Sequence, residues 1–433
     1  MALKLSAEDP GFADAFAALI AKSREAKSNV DDVVAAVLAD VKARGDQAVI
    51  DYSLKFDRLS LTPATLAFST DDIQGAAAKC DAKTMAALNE AAERIRAYHA
   101  RQLPTDDFFT DKSGIGLGWR WTAVSSAGLY VPGGTAALFS SVLMNAIPAK
   151  VAGVDRLVVT MPTPEGKTNP LTLAACAIAG VDEVYRVGGA QAVAMLAYGT
   201  KTVRAVDKIV GPGNAYVTSA KKQVFGTVGI DMIAGPSEVT VVSDAQTDPA
   251  WVAADLLAQA EHDASSQSIL ITDDAAFAAR VIQAIEGHLR TLPRRETAAK
   301  SWNDNGAVIV VKNIADAAAL VNRIAPEHLE LAVADPKALA KSIRHAGAIF
   351  LGRHTPEAVG DYSAGPSHVL PTSGAARFSS GLGVLDFMKR TSLIDCGVAG
   401  LAAIGPGALA MAEAEVLDAH ALSVAIRLNN RGA

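Results

Sequence analysis

From Gly128 to Asp231 short apolar runs alternate with alanine-rich or amphipathic stretches: LYV at 129, LVVTM at 157, VYRV at 184 and KIV at 208 read as strands, with helices between them. Gly180 stands where a helix would be capped, and Gly188-Gly189 follows a strand as a tight turn requires. A second series runs from Val239 to Gly352. Its strands lie near VTVV (239), SILIT (268), AVIVV (307), LELAV (329) and AIFL (348), separated by helix-like stretches such as Trp251 to His262 and Ala315 to Ile324. Strands that alternate with helices build parallel sheets covered on both faces. The pattern therefore predicts an α/β fold: two doubly wound, mostly parallel α/β domains of incomplete Rossmann type. Helical extensions flank them: Val30 to Ala43 and Thr84 to His99 carry the 3.6-residue period before the sheets, and Leu401 to Arg427 reads as one or two further helices after them.

Polar residues interrupt this pattern at a few places that invite chemistry. Ala325-Pro326-Glu327-His328-Leu329 sets a carboxylate beside an imidazole, between the apolar stretches Ala317 to Leu320 and Leu329 to Val333. Burying two ionisable groups is unfavourable unless they are paired or put to use, so the dipeptide leaves proton transfer and a structural ion pair both open. In Ala253 to Asp263, Gln259 and His262 stand three apart, on one face of a helix. Gly360 to His368 carries glycine and proline that predict a loop aiming Asp361 and His368 into a cleft. A late helix ends in Glu415-Val416-Leu417-Asp418-Ala419-His420. Two imidazoles, a carboxylate and an amide oxygen suit zinc or a similar divalent ion, although none of these pieces has zinc-finger or HExxH spacing and single helix histidines are more often ordinary surface or core residues.

Composition narrows the classes. A chain of 433 residues exceeds one hydrophobic core and predicts two or more domains. Its formal charge of -6, with a pI near 5.8 and no basic run, argues against a nucleic-acid surface. The most apolar stretch, Ala136 to Val154, is broken by Ser140, Asn145, Pro148 and Lys150, so no membrane span is expected. Glu8, Asp9 and Asp14 stand where a signal peptide would be basic and then apolar, which predicts a cytoplasmic protein. Cys80, Cys176 and Cys396 are odd in number and far apart, and indicate neither a disulfide framework nor a cysteine metal site.

Doubly wound sheets bind ligands beyond the carboxyl ends of their strands, which places a dinucleotide at Tyr130 to Gly134, Gly188 to Gln191 and Gly211 to Asn214. The usual fingerprint is missing. Gly211-Pro212-Gly213-Asn214-Ala215-Tyr216 fails GxGxxG at its last glycine, and Gly166-Lys167-Thr168 lacks the leading glycine of a phosphate loop. The residues alone point to an α/β enzyme with an unorthodox nucleotide site, or none.

The clusters, taken in order, resemble a known family. Ile230-Asp231-Met232-Ile233-Ala234-Gly235-Pro236-Ser237-Glu238, followed by Gln259-Ala260-Glu261-His262, closely resembles the signature of histidinol dehydrogenase. Ala325 to Glu330, Gly360 to His368 and Leu370-Pro371-Thr372-Ser373-Gly374 look like the same family, and the likeness extends from about Tyr52 to Arg427. The resemblance implies a zinc-dependent, NAD-linked enzyme taking L-histidinol to L-histidine in two oxidations through histidinaldehyde. One zinc ion per subunit would be held by Gln259, His262, Asp361 and His420, with the substrate's imidazole and amine completing its shell. By the same resemblance His328 is the base for both oxidations and Glu327 activates the water that hydrates the aldehyde. Ser237, His368 and Glu415 contact the substrate together with the metal ligands and His328, while Tyr130, Gln191 and Asn214 contact NAD.

The chain is then expected to divide into a helical arm (1–25), a larger α/β domain (26–129 and 237–381), an NAD-binding α/β domain (130–236) and a C-terminal helical segment (382–433). On an unbroken helix Glu415 and His420 would project about 140 degrees apart. The family solves this in a homodimer whose C-terminal region crosses to complete the neighbouring site. Val416 stands where relatives more often have glycine. Rival readings are a paralogous zinc and NAD dehydrogenase of another amino or sulfonated alcohol, a metal-dependent hydrolase using Glu327 as base, and a non-catalytic binding module, which would have no need of Glu327 beside His328.

Overall fold

The computed structural model describes residues 2–24, 30–133 and 139–429. The tip of the loop expected at Tyr130 to Gly134, the first residues of the Ala136 to Val154 stretch and the border drawn between 25 and 26 fall outside them. Two compact units emerge: Met1–Gln102 with Ser125–Phe387, and Leu103–Val124 with Met388–Ala433.

The first unit contains two all-parallel sheets. In the larger, Glu238–Ser243, Gln267–Thr272, Ala307–Val310, His328–Ala332 and Ala348–Leu351 lie in the spatial order 3-2-1-4-5, and Leu3–Ser6 adds an edge strand beside Ala307–Val310. Side chains alternate across a strand, so a sheet buried on both faces needs apolar residues at every position. Ile269 and Ile271 accordingly join one core with Phe16, Ile309 and Leu329, while Leu270 between them joins another with Val241, Phe277 and Trp302. The smaller sheet repeats the order 3-2-1-4-5 with Ser126–Tyr130, Arg156–Thr160, Glu183–Tyr185, Lys208–Val210 and Gly229–Ile230. Its switch point lies between Ser126–Tyr130 and Lys208–Val210, the first and fourth strands.

A guanidinium ties the far edge of this sheet together. Arg156 donates to both Glu183 oxygens, at 2.6 and 3.1 Å, and to the carbonyls of Arg204 and Ala205 at 3.1 Å. Tyr185 donates to the same carboxylate at 2.7 Å. Burial alone would raise Glu183, but these donors outweigh it and hold the carboxyl below its ordinary value.

The second unit pairs an antiparallel sheet of Asp107–Thr110, Gly116–Ala123 and Met388–Asp395 with the helices Val398–Ala414 and Asp418–Asn429. Little of it is buried. Val398 is 89% exposed, Met411 66% and Leu422 60%. Leu401 to Arg427 falls in two helices, within the expectation of one or two, because Glu415 ends the first and Val416 adopts a left-handed φ of 58°. That conformation brings Cβ against the backbone and is costly for a β-branched residue.

Several local expectations change. Leu3–Ser6 is a strand inside a start read as helical, and the segment expected to be helical from 382 opens with the strand Met388–Asp395. Gly188 and Gly189 open the helix Gly189–Tyr198 rather than a tight turn. The helix expected from Trp251 to His262 runs Pro249–Ala260, started by the Asp248 cap and ended at Glu261, so His262 stands in the turn beyond it. Glu357–Tyr362 is a short helix that carries Asp361, where glycine and proline had predicted loop alone. Among the described residues no helix is long and apolar enough to cross a membrane.

Two expected outcomes follow from this packing. Arg156→Ala lowers the free energy of unfolding in urea by about 1.5–3 kcal/mol at neutral pH, the range for hydrogen bonds to charged groups. Because Glu183 has a depressed folded value, its contribution is present above the ordinary 4.5 and is lost as pH falls through the folded value, so the gap between variant and parent should narrow below pH 4.5. Val416→Gly relieves the left-handed strain and should stabilise by about 1 kcal/mol, read as a raised thermal midpoint.

Candidate active site

The amino ends of two neighbouring strands supply the densest polar cluster. The helix Ala317–Ile324 stops where Ala325 turns left-handed (φ 53°), and Pro326, which has no N–H to continue it, leads directly into the strand His328–Ala332. His328 is thereby registered beside Val239, one residue from Glu238. The Glu238 N–H donates to Glu327 Oε2 at 2.9 Å, and the Glu238 carbonyl lies 3.2 Å from His328 Nδ1. A carbonyl only accepts, so Nδ1 carries the proton and Nε2 keeps the lone pair. That Nε2 is buried with no hydrogen-bond partner among the described residues, 3.8 Å from Asp361 Oδ1. Burial pushes His328 down to about 3, which keeps the ring neutral at physiological pH, with the Nε2 lone pair unprotonated.

Carboxyl groups crowd the same interior. Glu327 Oε2 and Glu357 Oε1 stand 3.7 and 3.8 Å from His328 Nδ1. Burial raises Glu327 well above the ordinary value, reinforced by the charges of Glu238 and Asp361. Glu357 rises for the same reason, with Asp361, Glu330 and Glu327 as its neighbours. Asp361 is pushed up to about 6 by burial, against the pull of His262. Behind them Glu330 Oε1 accepts the Glu357 N–H at 2.6 Å, and Asp255 is pushed up to about 6 by burial.

The donor set fits a divalent cation. One ligand atom each from His328, Glu357 and Asp361 lies within 4.8 Å of the others. Gln259 is fully buried in the last turn of its helix and, with its NH2 toward Glu357, donates to Oε1 at 2.5 Å. His262 follows in the turn, its N–H donating to the Gln259 carbonyl at 3.2 Å, and its charge acts on both Asp361 and His328. Buried carboxylates raised together form a field that a dication would lower, and nitrogen and oxygen ligands of this kind suit zinc.

Of the residues singled out by sequence, Glu327, His328, Gln259, His262 and Asp361 converge here. His368 adjoins them, its Nδ1 3.0 Å from the Asp361 carbonyl and its Nε2 3.2 Å from Ser141 Oγ, and burial pushes it down to about 4. Ser237 directly precedes Glu238. Glu415 and His420 belong to the second unit, where both are exposed. Glu357, Glu330 and Ser141 were not singled out. For Glu357 a signal was available, since it stands four residues before Asp361 and so shares its helix face.

At the carboxyl ends of the smaller sheet the three expected loops meet. Tyr130 Oη accepts the Gly189 N–H at 3.1 Å, and burial raises the phenol to about 12. The Gln191 amide folds back over Gly189, where any Cβ would come within 2.7 Å of Oε1. Asn214 Oδ1 accepts the N–H groups of Tyr216 and Val217 at 3.1 and 3.2 Å and starts the helix Ala215–Val224. Exposed N–H groups at such a helix start favour anions.

Likeness to known proteins spans nearly the whole chain. Residues 20–428 match the family model described as histidinol dehydrogenase. A histidinol dehydrogenase of Rhodospirillum rubrum is 64% identical over 430 residues, 99% of each chain, and one of Ruegeria pomeroyi is 60% identical over 98% of each. The crystal structure of histidinol dehydrogenase from Elizabethkingia anophelis superposes with a TM-score of 0.93 at 37% identity, covering 99% of this chain and 98% of that one.

Proposed function

The chain belongs to the histidinol dehydrogenase family, and from that premise we propose that it oxidises L-histidinol to L-histidine with zinc and two NAD, in successive alcohol and aldehyde steps. One observation carries the reading: His328, with Nδ1 3.7 Å from Glu327, presents a buried Nε2 that has no hydrogen-bond partner among the described residues. The larger sheet then forms the core of a catalytic domain, and residues 130–236 a cofactor domain.

A divalent ion held by Gln259, His262, Asp361 and His420 of the partner subunit would grip the substrate imidazole and amine, fixing the hydroxymethyl carbon in place. NAD at Tyr130, Gln191 and Asn214 would accept the hydride. The remaining work falls to the protein's own side chains. His328 Nε2 takes the alcohol proton as hydride leaves the carbon, and the resulting imidazolium is stabilised at Nδ1 by the Glu238 carbonyl and the carboxyls of Glu327 and Glu357. The aldehyde has no hydroxyl to deprotonate, so Glu327 removes a proton from water as its oxygen bonds to the carbonyl carbon, and the His328 imidazolium returns its proton to the carbonyl oxygen, which gives the hydrate and a neutral His328. Burial that raises Glu327 makes its carboxylate the stronger base. His328 then takes a hydroxyl proton from the hydrate, and loss of the second hydride yields the acid.

The same reading includes a homodimer. Glu415 and His420 sit in a unit with little core of its own and large exposed apolar residues such as Val398 and Met411, which a second copy would cover.

The zinc-loaded protein given limiting L-histidinol should release about two NADH per substrate. One NADH with free histidinaldehyde would overturn the two-step reading. His328→Ala should slow both oxidations by about 10²–10⁴-fold, the usual range for a general base. Glu327→Gln should slow oxidation of supplied histidinaldehyde more than that of histidinol, and equal losses count against separate roles for the two residues.

A further inference from the structure

A buried ion pair outside the catalytic cluster closes on a single residue. Lys221 lies in the helix Ala215–Val224 and Asp231 follows the strand Gly229–Ile230; their side chains are 3% and 0% exposed and form a direct pair. Lys221 Nζ donates to the Gly211 carbonyl at 2.9 Å, and Asp231 Oδ2 accepts the Gly211 N–H at 2.8 Å. Both peptide groups of one residue are therefore held by opposite charges. Gly211 has φ of 109°, and a Cβ there would lie 2.2 Å from the Tyr130 carbonyl oxygen, so only glycine brings this backbone against the end of the first strand.

Stability alone does not account for the pair. Desolvating two charges offsets most of their attraction, and well-packed apolar side chains commonly serve a core as well. The placement is informative: Gly211 opens the loop to Asn214, which begins the helix whose start faces the crevice. The segment that starts at Asp231 runs on to Ser237 and Glu238, at the catalytic cluster.

We propose that Lys221 and Asp231 are positioning residues for the cofactor, locking Gly211 so that the Gly211 to Asn214 loop is already in its NAD-binding shape before NAD arrives; this rests on reading that loop as part of the NAD site. A preordered loop has no ordering cost left at binding. Loss of the clamp therefore acts on NAD and spares the amino alcohol, whose proposed contacts lie at the amino edge of the larger sheet and in the second unit.

The test uses the zinc-loaded enzyme with Lys221→Met and Asp231→Val together, which removes both charges and leaves none unpaired. NAD titrated calorimetrically should bind about 10- to 100-fold more weakly, with the KM for histidinol at saturating NAD unchanged. A folded double variant that binds NAD within about twofold of the parent overturns the proposal, as does an equal rise in both KM values. Asn214→Ala separates the two readings. If it weakens NAD binding while the double variant does not, the clamp alone is refuted; if it leaves NAD binding intact, the loop is not the cofactor site and the clamp proposal falls with it. Hydrogen exchange of the parent protein decides even if the variant does not fold. Without NAD the Gly211 amide should already exchange slowly, and fast exchange that slows only on adding NAD overturns preordering.

Discussion

Everything at the buried polar cluster depends on keeping an uncharged imidazole among carboxyl groups in an interior that favours no charge. Two main-chain atoms of one residue make this possible, since Glu238 donates its N–H to Glu327 and offers its carbonyl to His328. Both belong to a strand held in register by the middle of a parallel sheet. Neither side chain can turn without breaking a bond to that rigid backbone. The imidazole tautomer, and with it the nitrogen proposed as the base, is therefore set by sheet register rather than by a flexible partner.

The two sheets share one strand order and carry their candidate sites at opposite ends. In the smaller sheet Tyr130, Gly188 and Gly211 lie beyond the carboxyl ends, around the switch point, as open α/β sheets usually arrange their ligands. In the larger, Glu238 and His328 are the first residues of their strands, and Gln259 lies at the end of a helix that has run back to the same edge. The chain from Asp231 to Glu238 is short enough to bring the amino edge of one sheet close to a carboxyl-end loop of the other. A glycine-proline pair, Gly235-Pro236, makes the turn, and Gly235 donates to Thr372 Oγ1 at 2.5 Å.

Alternating apolar runs disclosed both parallel series because each strand is buried on both faces and each crossover is local. The adjacency of Glu327 and His328 was visible for the same reason: two ionisable groups interrupting an apolar pattern stand out. Pairings between distant segments were not visible. Leu3–Ser6 finds its partner some three hundred residues on, and Gly116–Ala123 pairs with Met388–Asp395, so no periodicity within a window could join them. The end of the helix at Ala260 is not legible because no glycine or proline marks it, and the spacing of Glu357 from Asp361 carries meaning only on a helix, where glycine and proline predict a loop. Family resemblance supplied what neither pattern nor spacing could, namely which substrate the cluster would serve.

The edge strand Leu3–Ser6 has a consequence for biosynthesis. It leaves the ribosome long before Ala307–Val310, and at usual elongation rates roughly 15 to 60 seconds separate the two. Throughout that interval an amphipathic segment has no sheet to join. When the later strand does appear, its outer edge stays open for pairing until the nascent chain's beginning returns to cover it, so the slowest-forming contact in the sheet is also the one that shields it from other chains.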